Sequence, residues 1–360
     1  MSARNLEDLL TAAGNPVEML RNSQTGPYIF PVVPSEFTNW RDEQRAWQKT
    51  CVLFDQSYHM TDMYVQGPDA LKLLSDLGIN SFKNFGMDRA KQYVVCSYDG
   101  YVIGDVILFR LEENLFNLVG RSSVHNWVQY QCEKGGYNAK LERDERAVYD
   151  PRKPIVRKVY RYQIQGPNAP AVVEKLLGKP APETKFFHME NFKIAGRDVH
   201  ALRHGMVGQP GWELFGPWAD GDAVKAAIVE AGKEFGLRQS GARAYSSNTI
   251  ESGWIPSPLP AVYSGEKMKP YRQWLSARTY EATASLSGSF VSDNIGDYYL
   301  SPYDLGYGSI VKFDHDFIGR EALEKMAKQP HRKKMTLVWN SEDVVGVFAS
   351  LYKEGDAAKY

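Results

Sequence analysis

The sequence predicts an α+β fold built on antiparallel sheets, and three features carry that prediction. Nearly the same phrase is written twice, "VQGPDALKLL" at 65–74 and "IQGPNAPAVV" at 164–173. The stretch "YDGY" at 98–101 lies between two apolar runs and reads as the turn of a hairpin. Elsewhere strand-like and helix-like stretches are intermixed and joined by short turns, unlike the regular crossovers of a doubly wound parallel sheet.

The repeat is the strongest of the three. Val65, Gln66, Gly67, Pro68 and Ala70 align with Ile164, Gln165, Gly166, Pro167 and Ala169 at an offset of 99 residues. Glycine permits a tight exit from a strand, and proline suits the first helical position because it has no N–H to leave unpaired. Each copy therefore reads as strand, Gly-Pro turn and helix, and the pair as a duplicated α+β half.

Residues 36–50 place Phe37, Trp40, Gln44 and Trp47 at helical spacing, which predicts an amphipathic helix. An extended stretch with a polar interruption follows over 51–67, then a helix to about Leu77 and the hairpin over 90–111. The strand "LFNLVG" and a helix from about Ser123 to Gly135 complete the first half. The second half reads as a strand at 157–165, a helix at 168–177, a β-rich stretch at 192–205, the strand "GWELFG" and a helix ended by Gly236. Linear domains of 1–155 and 156–330 are expected, with discontinuous exchange between them allowed. Beyond them "KQPHRKK" reads as a linker and "MTLVW" as the first strand of a further β domain, truncated at Tyr360.

Composition narrows the function. The chain is 43% hydrophobic and 24% charged, with 43 basic and 43 acidic residues, which argues against nucleic acid or an anionic membrane as main partner. No run of 18 apolar residues occurs, and the N-terminus lacks a signal-peptide pattern, so a cytoplasmic location is expected. Cys51, Cys96 and Cys132 are odd in number and widely spaced, and read as buried thiols. "DHD" at 314–316 reads as a solvated turn rather than a metal site, because three adjacent residues cannot converge on one ion. Walker, GxGxxG, GxSxG and HExxH patterns are absent.

Four segments hold candidate site residues. His59 in "FDQSYHM" is an acid/base or ligand donor, or a satisfied histidine at a strand edge. Arg121 follows the strand "LFNLVG" and can grip an anion with its fork, or form an ion pair at the surface. The loop-like "GARAYSSNTIESGWIPSPLP" carries Tyr245, whose hydroxyl needs a partner, and the flat face of Trp254. Glu213 sits between Trp212 and Leu214 in a strand pattern, where an inward carboxylate must find donors such as a ligand's paired N–H edge.

The ordered segments "IQGPNA", "GWELFG", "GARAYSSNTIESG" and "KFDHDFIGREAL" resemble the glycine-cleavage T-protein family of folate-dependent aminomethyl and methyl transferases. The stretches "EMLRNSQTGPYIFPVV", "LFDQSYHM", "YSSNTIESGWIPSPLPA" and "GSFVSDNIGDYY" are similar to its tetrahydrofolate-dependent aromatic O-demethylases, which act on vanillate, 3-O-methylgallate or syringate in lignin-degrading bacteria. The resemblance implies a three-domain cloverleaf around a central folate channel, with most of the C-terminal β-barrel or jelly-roll domain missing here. It implies tetrahydrofolate as methyl acceptor and a methoxylated aromatic acid as methyl donor, and it is compatible with a homodimer.

The resemblance also assigns residues. It places Gln165 near the folate, Glu213 in a two-point contact with the pterin amino edge, and Trp254 and Tyr93 beside the cofactor. Tyr245 becomes the donor to the leaving aryloxide, His59 its helper, Arg121 the holder of the substrate carboxylate and Phe30 the wall of the ring pocket. Vanillate-type relatives tend to carry tyrosine where this chain has Phe30, and the missing hydroxyl favours syringate with its second methoxy group. One departure stands out: aminomethyltransferases usually carry an Asp-Asp pair where "VIGDV" has Gly104 and Asp105. That departure counts against the alternative of an aminomethyltransferase. A non-catalytic folate-binding iron–sulfur factor would carry a cysteine in the segment that reads "KFDHDFIGRE" here.

Overall fold

The computed structural model describes residues 4–26 and 28–355. Among them the strands are β1 (Cys51–Asp55), β2 (Thr61–Gln66), β3 (Arg89–Cys96), β4 (Val102–Glu112), β5 (Leu115–Gly120), β6 (Lys140–Asp144), β7 (Val159–Gln165), β8 (Met189–Ile194), β9 (Arg197–Arg203), β10 (Gly211–Pro217) and β11 (Leu237–Gln239). One sheet has the order β3-β4-β5-β2-β6 and the other β11-β1-β7-β10-β9-β8. Of the pairings in these sheets only β1 with β11 is parallel. The α+β expectation holds, and no described helix is long and apolar enough to cross a membrane.

Both copies of the repeated phrase form the same strand, turn and helix, with helices at Ala70–Leu77 and Ala169–Leu177. Gly67 and Gly166 adopt φ of 138° and 125°. A Cβ on them would come 2.5 Å from Asn138 O and 2.6 Å from Thr50 O, so backbone crowding as well as dihedral demands glycine. Pro68 and Pro167 do not occupy the first helical position as expected. They lie in the preceding turn, which Ala70 N closes on Gly67 O at 3.1 Å and Ala169 N on Gly166 O at 3.0 Å.

Strand periodicity gives each sheet two unlike faces. One face of the first sheet packs Met63, Val65, Tyr93, Leu108 and Leu118 with the buried helical residues Leu73, Val124 and Trp127. The matching face of the second sheet packs Leu53, Ile164, Trp212 and Leu214 with Val172, Val224 and Ile228. The remaining faces meet through Ala90, Phe109 and Val119 from one sheet and Met189, Leu202 and Phe215 from the other. Around this small apolar contact the inward residues are polar.

The linear division at residue 155 does not match the sheets. β1 precedes every strand of the first sheet yet pairs with β7 and β11 of the second. Residues 261–299 return to the first sheet, where Val262, Tyr263, Tyr271 and Tyr299 join its core. "MTLVW" is not a strand either: Leu337, Val338 and Trp339 are exposed, and the next regular element is a helix at Ser341–Ser350. The "DHD" stretch keeps Asp314 and Asp316 exposed, as a solvated turn does, while His315 is half-buried 3.0 Å from Gly78 O and Asp314 accepts from Ser81 Oγ at 2.7 Å. Cys51, Cys96 and Cys132 are free and buried.

A buried chain of charges joins the sheets. Arg161 of β7 donates to Glu213 Oε1 at 2.5 Å and to Asp62 Oδ1 of the first sheet at 3.0 Å. Asp62 Oδ2 accepts from Arg157 at 3.1 Å, and Arg157 pairs with Asp144 at 3.1 Å. Removing one member strands its partners as uncompensated buried charges, which typically costs ~3–5 kcal/mol. Arg161→Met is therefore expected to destabilise the protein by about that amount in urea denaturation. The triple exchange of Asp62, Arg161 and Glu213 for apolar residues of similar volume should cost less than the single one.

Candidate active site

The connection from β1 to β2 passes from one sheet to the other, and it carries Gln56 and His59. Its backbone is pinned from the second sheet: Gln56 N donates to Arg161 O at 2.8 Å, and Arg157 donates to Ser57 O at 2.7 Å and Met60 O at 3.1 Å. The charged chain that joins the sheets thus also fixes the loop.

Around this loop an aromatic cluster assembles from three distant segments. The Phe54 and Tyr245 rings stack with centroids 3.7 Å apart and planes 9° from parallel. Phe30 lies 4.9 Å from His59 and 5.7 Å from Tyr245, and His59 lies 5.6 Å from Tyr245. Tyr245 is not in a loop but on the helix Ala242–Ser252, which packs on the helix Trp40–Lys49 and so reaches β1. Three of the expected site residues, Phe30, His59 and Tyr245, therefore meet.

Arg121 is connected to them through Tyr28. Its guanidinium lies 4.8 Å from the Tyr28 ring centroid, Arg146 lies 4.6 Å from the same ring, and the Tyr28 hydroxyl donates to His59 O at 2.7 Å. Neither arginine has a carboxylate partner among the described residues. Arginines without an anion suit an anionic ligand.

The electrostatics set the protonation states. Burial, with Arg146, Arg121, Arg157 and Arg161 nearby, lowers the His59 pKa to about 3, so the ring is neutral at physiological pH. A neutral His59 suits the helper role of orienting the ring oxygens rather than that of sharing a proton as a cation. Burial raises the Tyr245 phenol well above its ordinary value, while a hydrogen bond from Gln56 opposes the shift. Gln56 Nε2 donates to Tyr245 Oη at 3.1 Å, which leaves the phenolic hydrogen free for another acceptor.

Other expected residues fall differently. Glu213 is buried, with Oε1 accepting from Arg161 and Oε2 lying 3.9 Å from His204 Nδ1, so a two-point contact would share Oε1 with that guanidinium. Gln165 spends its amide on the protein, accepting from Met206 N at 3.1 Å and donating to Gln209 O at 2.6 Å. It anchors the 205–210 loop, beside which a cavity of about 390 Å³ is lined by Phe186, Arg203, Gln209 and Pro210. Tyr93 faces the opposite way from the site: it is fully buried in the core of the first sheet and donates to Leu74 O at 2.9 Å.

The neighbour of Tyr93 takes its place. Gln92 shares the face of Ala90, and it donates to Asp105 Oδ2 at 2.7 Å. Tyr307 donates to the same oxygen at 3.3 Å and accepts from Trp254 Nε1 at 2.9 Å. Trp254 thus belongs to an acid-centred network, in which burial raises the Asp105 pKa and the hydrogen bonds from Gln92 and Tyr307 lower it. Gly104 faces the other way, and a Cβ there would lie 2.8 Å from Ser123 Oγ. A second acid at that position would require Ser123 to shift.

Because His59 is neutral when folded and takes a proton near pH 6.5 when unfolded, its contribution is complete above 6.5 and is lost as pH falls toward about 3. Stability should decline with acid across that window, and His59→Gln should flatten the decline in denaturation midpoints measured from pH 7 to pH 4. Activity should show no histidine inflection near pH 6.5.

Comparison with known proteins agrees with this architecture. Residues 19–257 match the model described as the GCVT N-terminal domain. The chain is 54% identical to a syringate O-demethylase from Sphingobium sp. over 358 residues, 99% of this chain and 77% of that protein. It is 30% identical to a sesamin methylene transferase from Sinomonas sp., over 92% of this chain and 71% of that one. In fold it is similar to the glycine cleavage system aminomethyltransferase T of Bartonella henselae, with a TM-score of 0.59 at 20% identity, covering 90% of this chain and 74% of that one. A family model that spans most of the chain, and relatives aligned along nearly its whole length, establish that the protein belongs to the GCVT family, alongside that O-demethylase.

Proposed function

We propose that the protein transfers the methyl group of a methoxylated aromatic acid, syringate foremost, to N5 of tetrahydrofolate. The observation that carries this reading is the Tyr245 hydroxyl, oriented by Gln56 and with its hydrogen unspent, among the rings of Phe30, Phe54 and His59. Aromatic walls suit a flat ring, and an O–H donor suits the ether oxygen that becomes an aryloxide. The 54% identity to a syringate O-demethylase supports the choice of substrate.

Tetrahydrofolate supplies the nucleophilic nitrogen when bound. The residues present fit its donor-rich pterin edge at Glu213, whose Oε2 is open, with Asp105 as a half-buried acid on the facing sheet. Arg121 would hold the substrate carboxylate, and the ring of Phe30, which carries no hydroxyl, would face a second methoxy group. An aryloxide has a conjugate-acid pKa of roughly 10, like tyrosine. Tyr245, with its pKa raised above that, stabilises the leaving oxygen by donating a hydrogen bond rather than by surrendering the proton, and the aryloxide gains the proton that N5 loses on methylation, giving the phenol and 5-methyltetrahydrofolate.

Incubating the protein with tetrahydrofolate and syringate or vanillate, and following 5-methyltetrahydrofolate, tests the reaction. Demethylation that depends on tetrahydrofolate is expected, faster with syringate; folate binding without transfer from either acid would refute the reading. Tyr245→Phe should lower kcat by ~10²-fold or more at little changed substrate KM. Phe30→Tyr should move the syringate-to-vanillate ratio of kcat/KM about tenfold toward vanillate, read from initial rates.

A further inference from the structure

The aromatic cluster holds two buried polar atoms with no hydrogen-bond partner among the described residues, Gln56 Oε1 and His59 Nδ1. Gln56 is 4% exposed and directly follows β1, on the same side of the chain as Val52 and Phe54. Its amide nitrogen is committed to Tyr245 Oη, so its carbonyl oxygen is fixed beside the cluster without a donor. A buried carbonyl left in that condition is unfavourable, and a ligand that brings a hydrogen relieves it.

On the demethylase reading, the ligand is a methoxylated aromatic acid. Its ether oxygens and ionised carboxylate only accept hydrogen bonds. The single strong donor such a molecule can offer is a ring hydroxyl. We infer that Gln56 recognises the hydroxyl adjacent to the methyl ether, so that the site selects phenolic aryl methyl ethers over ethers that lack a free hydroxyl. Two neighbouring ring oxygens are then read by one pair of side chains, the ether by the Tyr245 hydrogen and the hydroxyl by the Gln56 carbonyl. The neutral His59 keeps Nδ1 for the same polar edge. This inference rests on the demethylase reading and adds the substrate feature that the site requires.

Calorimetric titration with syringate and with 3,5-dimethoxybenzoate, which differ only by the hydroxyl, tests it. Saturating 5-methyltetrahydrofolate should be present so that no methyl transfer occurs. The wild-type protein is expected to bind syringate at least ~10-fold more tightly, and Gln56→Met to abolish that difference by weakening syringate alone. Equal affinities in the wild type, no binding of either acid, or equal weakening of both by Gln56→Met would overturn the inference. If the variant does not fold, the wild-type ratio alone decides. Selective syringate binding in a protein that never methylates tetrahydrofolate would uphold hydroxyl recognition and overturn the demethylase reading instead.

Discussion

The ion chain from Glu213 through Arg161, Asp62 and Arg157 to Asp144 is the constraint on which the site depends. Two sheets that shared only a few apolar contacts could slide or splay. A buried guanidinium bridging carboxylates on both sheets allows one relative position, because displacement of either sheet leaves a charge unpaired in a low-dielectric setting. Arg157 extends that constraint to the loop of Gln56 and His59 through two backbone carbonyls. Burial chiefly depresses the His59 pKa, Arg146 and Arg121 add to it, and Arg157 and Arg161 of the chain contribute further.

The duplicated halves supply different parts of the chemistry. The first sheet contributes the acid Asp105 with its donor Gln92, and the arginine that follows β5. The second contributes the Glu213 carboxylate, and β1 leads into the loop that presents Gln56. Segments outside both sheets complete the site, with Phe30 from the N-terminal region and Tyr245 from the helix after β11. The two sheets thus present unlike walls.

Much of this was legible in the sequence, because it follows from local rules. The repeated Gly-Pro phrase, the hairpin at Asp99-Gly100 and the helix ended by Gly236 are written in residues with strong backbone preferences. Phe30, His59 and Tyr245 carried the resemblance, and they meet in space. What could not be read needed either strand parity or distant pairing. Tyr93 and Gln92 differ by one position, and in a strand one position exchanges core for cleft. Arg161 with Asp62 spans 99 residues and crosses between sheets, so nothing near either residue announces it. Gln165 looked available as a ligand contact because the loop that consumes its amide is more than forty residues away, at Met206 and Gln209. The stretch "MTLVW" has the composition of a strand, but composition does not provide the pairing edge a strand needs.

The placement of β1 bears on how the molecule matures. Its partner β11 lies about 185 residues later, with Cys51 beside Leu237 and Leu53 beside Gln239. The first sheet can pair within residues 61–144, while the second closes only after that long chain segment has been ordered. Closing such a loop is entropically slow. The segment bearing Gln56 and His59 leads directly out of β1 and is held by Arg157 and Arg161, so its final form requires at least the pairing of β1 with β7 more than 100 residues later. Because residues 261–299 also return to the core of the first sheet, neither half is complete until nearly the whole described chain is in place, and recovery of turnover after dilution from denaturant reports that completion.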